Sequence, residues 1–194
     1  MTWIEELKID QSIKNIREEM RKGDILPLDP LRFDDLASSE VKGILERNDR
    51  EKLGRNKYIV EGLIRIDSPK RNYLLRSGAR PVLFDWIIYD AVTNYIVRKI
   101  YKKIPSVNFS FQQFRELQTK RAKKHKSIAY WVAFDDRAEK FARKASFMLM
   151  TDITSFFDHI SLDVLKVRLK MLNSDGQYEK AVNYLVENIL KVWA

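Results

Sequence analysis

Met150-Thr151-Asp152-Ile153-Thr154-Ser155-Phe156-Phe157-Asp158-His159-Ile160 decides how this chain is read. The run from Ala145 to Ile153 is nearly all apolar, the pattern of a strand covered on both faces. The two together predict a carboxylate leaving the end of a buried strand, a turn with two adjacent aromatics, and then a helix. Burying a carboxylate is expensive unless something compensates it. At a strand end the compensation is a divalent cation or a strong hydrogen-bond partner. Hard oxygen ligation suits magnesium, which takes one or two protein carboxylates plus substrate phosphates. The plainer alternative is an Asp152 that only caps the turn.

Working outward, Ser161 has N-cap chemistry, and Leu162, Leu165, Leu169 and Leu172 recur at helical spacing. A last helix is expected from about Tyr178 to Trp193. Upstream, Ala129 to Lys144 reads as a helix with Tyr130, Trp131, Phe134, Ala138 and Phe141 along one face. Asp135 and Asp136 fall on its surface. Pro81 suits the first turn of a helix that runs to about Lys103, buried through Phe84, Ile87, Ile88, Ala91, Val92, Tyr95 and Ile96. Before it the period changes. Tyr58 to Ile66 reads as extended, Asp67 to Asn72 as turn chemistry, and Tyr73 to Arg76 as the return strand of a hairpin. Two helices precede the hairpin. Residues 3–22 carry Ile9, Ile13, Ile16 and Met20 on one face, and residues 34–47 carry Leu36, Val41, Ile44 and Leu45. The expected class is α+β and rich in helix.

Composition narrows the function. With 45% apolar and 11% aromatic residues, the 194-residue chain has enough apolar surface for a core, and global disorder is excluded. The absence of cysteine excludes disulfides, thiolate metal sites and a cysteine nucleophile. Two histidines, His125 and His159, exclude a multi-histidine metal centre. No signal peptide or membrane-spanning run is visible, so a cytoplasmic protein with no membrane partner is expected. The net charge of +9 is uneven. Residues 1–40 hold six basic and ten acidic side chains, whereas residues 98–126 hold ten basic ones against Glu116 alone. That second segment interleaves Phe109, Phe111 and Phe114 and ends in Lys120, Arg121, Lys123, Lys124 and Lys126. It reads as a solvated surface or as a track for a phosphate backbone.

Taken in order, these segments resemble the reverse transcriptases. Met150 to Ile160 is similar to the family's first catalytic-aspartate motif, D-I-x-x-F-F-D-x-I. It looks most like the bacterial retron, group II intron and abortive-infection or defence-associated enzymes. Ser68-Pro69-Lys70…Arg76…Arg80-Pro81-Val82…Asp85…Tyr89-Asp90-Ala91 is similar to the family's fingers segment. Phe109-Ser110-Phe111 and Tyr130 to Phe134 resemble an aromatic stretch of the abortive-infection group. The resemblance covers residues 58–170 and implies three parts: an N-terminal helical segment (1–56), fingers (57–145) and the beginning of a palm (146–194).

The resemblance implies an RNA-directed DNA polymerase that extends a nucleic-acid primer on an RNA template with deoxynucleoside triphosphates. Asp152 and the carbonyl of Ile153 would bind magnesium, two ions being expected in the complete site. Phe157, five residues after Asp152, matches the steric gate that excludes a 2′-hydroxyl. Lys70 and Arg76 match the cations that hold the incoming triphosphate, with Arg71 and Arg80 as competitors. A phage-defence role is implied by the subfamily. One departure matters. No aromatic-x-Asp-Asp turn follows Asp152, which is succeeded only by Asp158, Asp163 and Asp175. The expectation is therefore an N-terminal piece of a longer polymerase, inactive without the rest of its palm and thumb. The rivals are a non-catalytic nucleic-acid-binding module and a helical protein-interaction domain.

Overall fold

The computed structural model describes residues 2–21, 38–50, 59–69, 75–104, 127–147, 149 and 159–194. Helix α1 spans Ile9–Arg21 and α2 spans Ser38–Arg50. Strands β1 (Ile64–Pro69) and β2 (Leu75–Arg80) follow, and then α3 (Leu83–Ile100) with one 3-10 turn, Tyr101–Lys103. Helices α4 (Ser127–Ala142), α5 (Leu162–Leu172) and α6 (Gly176–Tyr184) complete the order. Without a break, α6 continues into a π-helical segment, Leu185–Leu190, and a last α turn, Lys191–Trp193. The class is α+β, helix-rich, and its sheet among the described residues is one antiparallel pair.

Two compact units divide the chain. One comprises residues 1–96 and 162–194, the other residues 97–161. In the first, the expected helical spacings hold. Ile9, Ile13 and Ile16 are buried on α1, and Val41 and Leu45 on α2, which packs against α1. Helix α3 buries Ile87, Ile88, Ala91, Val92, Tyr95 and Ile96. One of its two acids, Asp85, lies in the first turn and its bases, Arg98 and Lys99, in the last, as the helix dipole favours.

The chain's two ends meet in this unit. The Trp3 side chain is 1% exposed and packs on Tyr95 and Tyr184, with ring centroids 6.3 and 5.5 Å away. The backbone N–H of Trp3 donates to Gln177 Oε1 at 3.0 Å. Asp175 caps α6 by accepting from the Gln177 N–H at 2.9 Å. The Tyr178 hydroxyl donates to the carbonyl of Leu169 at 2.7 Å, satisfying one of the orphan acceptors in the last turn of α5. Burial pushes the Tyr178 phenol up to about 12. Exposed ion pairs join α5 to the helical segment after α6. Lys166 meets Glu187 at 2.6 Å, and Lys191 meets Asp163 at 2.9 Å. Hydrogen bonds from Lys166 and Lys191 hold the Glu187 carboxyl below its usual range. Such exposed pairs are worth little individually.

Two sequence expectations are corrected, and one helix face proves uncovered. The hairpin is displaced along the chain. Asp67, Ser68 and Pro69, expected in the turn, pair as strand with Ser77, Arg76 and Leu75. The small residues of β2, Ser77 to Ala79, show no apolar alternation, so periodicity does not reveal their strand state. Helix α4 forms where expected, but Phe134 and Phe141 on its aromatic face are exposed, Phe141 by 62%. Helical spacing says which residues share a face and not that something covers it. Finally, residues 145–147 and 149 are not strand, and Phe147 and Leu149 are 87% and 83% exposed. A strand covered on both faces needs neighbours for its ladder, and among the described residues the only ladder is β1–β2.

Candidate functional site

The residues that combine chemistry with a defined position cluster where the hairpin joins α3. Strands β1 and β2 pair from Ile64↔Arg80 at the base to Pro69↔Leu75 at the far end. Arg76 sits opposite Ser68, one pair from that far end. Lys70 follows Pro69 directly and lies outside the described residues, as does Arg71. The backbone therefore carries Arg76 to the far end of the ribbon. An arginine at that end of a ribbon offers a group that pairs with phosphate oxygens through charge-assisted hydrogen bonds.

Arg80 sits at the opposite end. It is buried, with its guanidinium 5.8 Å from the centroid of the Trp86 ring. Desolvation lowers its pKa. A cation packed on an aromatic at the hairpin base secures the exit of β2 into α3. The structure thus separates Arg76 from its competitor Arg80 by the length of a strand.

Asp85, from the first turn of α3, is fully buried, and its Oδ2 accepts from the backbone N–H of Glu61 at 2.8 Å. Five residues on, Asp90 faces α1. Its Oδ2 accepts from Asn94 at 2.8 Å and from Asn15 at 3.4 Å. Burial raises the Asp90 pKa, and hydrogen bonds from Ser12, Asn15 and Asn94 offset part of that rise. The folded carboxyl thus titrates above the unfolded value of 3.8. Its contribution to stability is full below 3.8 and is lost as pH rises through the folded value. An Asp90→Asn variant has no such loss. Its stability relative to wild type should rise between about pH 3 and pH 7 in urea melts. A difference, variant minus wild type, that stays flat or falls with rising pH would contradict the burial assigned to Asp90.

The other expected site residues, Asp152, Ile153, Phe157, Lys120, Arg121, Lys123, Lys124 and Lys126, lie outside the described residues. Asp135 and Asp136 are exposed on α4, as expected of that pair. Among the described residues no three His, Asp or Glu side chains come together in a way that could hold a metal ion. Among the same residues no helix is long and apolar enough to cross a membrane.

Sequence reasoning missed Trp86, Trp193 and Glu61. Trp193 Nε1–H donates to the Glu61 carbonyl at 3.1 Å, across 132 positions of sequence. Its ring packs on Tyr89 with centroids 5.3 Å apart. No local pattern signals a contact of that separation. No family model, curated protein or solved structure matches the chain.

Proposed function

We propose that the chain is the N-terminal part of an RNA-directed DNA polymerase, comprising fingers and the opening of a palm. The complete protein would add deoxynucleoside triphosphates to a primer on an RNA template. The observation that carries this reading is the order of the segments. Ser68, Pro69 and Arg76 belong to a hairpin, Arg80-Pro81 leads into a helix bearing Asp85, Tyr89, Asp90 and Ala91, and in the sequence Lys70 follows Pro69 and Asp152 to Phe157 comes after the helix. A hairpin running directly into α3 supports the comparison with a fingers segment. Phe157 would exclude ribonucleotides sterically, and Arg76 and Lys70 would hold the triphosphate.

The chain's share of a magnesium site is the Asp152 carboxylate and the Ile153 carbonyl. These are hard oxygen donors of the right kind. They fall short in number, because no adjacent carboxylate pair follows Asp152. The chain alone is therefore expected to be inactive. The direct test is extension of a DNA primer on an RNA template by the full-length protein. Incorporation of deoxynucleotides is the expected result, and its absence would overturn the reading.

The lone aspartate motif together with the basic run favours one second reading, a nucleic-acid-binding module without chemistry. Both readings expect salt-dependent binding. If Lys120, Arg121, Lys123, Lys124 and Lys126 each contact a phosphate of a duplex, log affinity should fall against log salt with a slope of about −4.5. A Lys120→Ala, Lys123→Ala, Lys124→Ala triple variant should lower that slope by about 2.7 in a filter-binding assay. Affinity that does not respond to salt would leave the protein-interaction rival instead.

A further inference from the structure

Both backbone polar groups of Glu61 are held by side chains. The N–H donates to Asp85 and the carbonyl accepts from Trp193. Three residues later β1 begins. At the other side of the base, β2 ends at Arg80, which rests on Trp86. Entry and exit of the hairpin are thus both tied to the first turn of α3. The entry has a second tie, to the last helical turn of the chain. Trp193 is itself braced, because its ring packs on Tyr89 one turn beyond Asp85.

The space around Gly62 explains why the ties matter. A Cβ built at Gly62 would meet nothing within 4 Å, so packing at that position does not fix the direction of the strand. A two-stranded ribbon is marginal in water and takes its orientation from its base. Six residues of β1 reach about 20 Å at about 3.3 Å per residue. A tilt of about ten degrees at the base would move the tip by roughly 3 Å, more than a hydrogen bond tolerates.

We infer that Asp85 and Trp193, closing on Glu61, form a clamp that sets the pitch of the β1–β2 hairpin and so act as positioning residues for the incoming nucleoside triphosphate. The nucleotide half of this inference rests on the polymerase reading. The clamp does not. Both act at a distance, through the ribbon that carries Arg76 near its far end.

The test uses Trp193→Phe, which keeps a ring against Tyr89 and removes the donor to Glu61. Gly62→Ala, which adds a methyl to open space, is the control. Hydrogen exchange of the hairpin amides reads the clamp. The KM and kcat for deoxynucleotide in primer extension by the full-length protein read its consequence. Trp193→Phe should speed exchange in β1 and β2 and raise the nucleotide KM about three- to tenfold, with kcat within about twofold. Gly62→Ala should leave both readouts at wild type. Asp85→Asn, which keeps an acceptor for the Glu61 N–H, should lie nearer wild type than Asp85→Ala. Unchanged exchange in Trp193→Phe overturns the clamp whatever the enzyme does. Faster exchange with an unchanged KM, or a loss confined to kcat, overturns the positioning role. A wild-type protein that extends no primer removes the polymerase reading, and the clamp is then decided by exchange alone.

Discussion

Trp3→Ala should cost about 3–5 kcal/mol of folding stability, a fall of more than about a hundredfold in the folding equilibrium. The side chain is fully enclosed, and its ring lies against Tyr95 of α3 and Tyr184 of α6. Removing it opens a cavity where the first residues of the chain meet its last helices. Domains of this size are stable by about 5–15 kcal/mol, so the loss is a large share of the total. A urea melt followed by circular dichroism should show a lower midpoint with an unchanged slope. Trp3→Phe should cost much less. It keeps a ring in place and removes an indole N–H that has no hydrogen-bond partner among the described residues. A Trp3→Ala protein within about 1 kcal/mol of wild type would mean that the N-terminal segment is not part of the core.

The fold was legible where burial and period coincide. Ile9, Ile13 and Ile16 announce α1, and Ile87 through Ile96 announce α3, because a buried helix face imposes its spacing on the sequence. Legibility ended where that coupling is absent. In β2, Ser77-Gly78-Ala79 belong to a two-stranded ribbon, which places little constraint on side-chain type. At Phe147 and Leu149, apolar character implied a covered strand, yet both side chains stand in solvent. The π-helical segment after α6 carries no local signature either. Leu185, Val186 and Ile189 fit an ordinary buried helix face equally well. At the candidate site, the sequence marked Asp85 through its place in the helix pattern and Arg76 through its place in the hairpin. It could not mark the partners, since Glu61 and Trp193 meet only because two distant segments pack together. Arg80 illustrates the same limit. As a string of residues it equals Arg76 as a triphosphate ligand, and only burial at the ribbon base sets the two apart.

The second large effect concerns Asp152. An asparagine there would keep the size of the side chain and lose the negative charge that makes a hard oxygen ligand. Groups that act on developing charge at a reacting phosphate are each worth two to three powers of ten or more when removed. On the polymerase reading, primer–template binding would draw on the basic run and not on Asp152, so its persistence in the variant would separate a loss of activity from a loss of fold. The decisive measurement is the single-turnover rate of deoxynucleotide addition to an RNA-templated primer by the full-length protein and by its Asp152→Asn variant. A fall of at least about a hundredfold with primer–template affinity unchanged is the expected result. Extension at the wild-type rate by Asp152→Asn would contradict the proposal that this chain belongs to a polymerase.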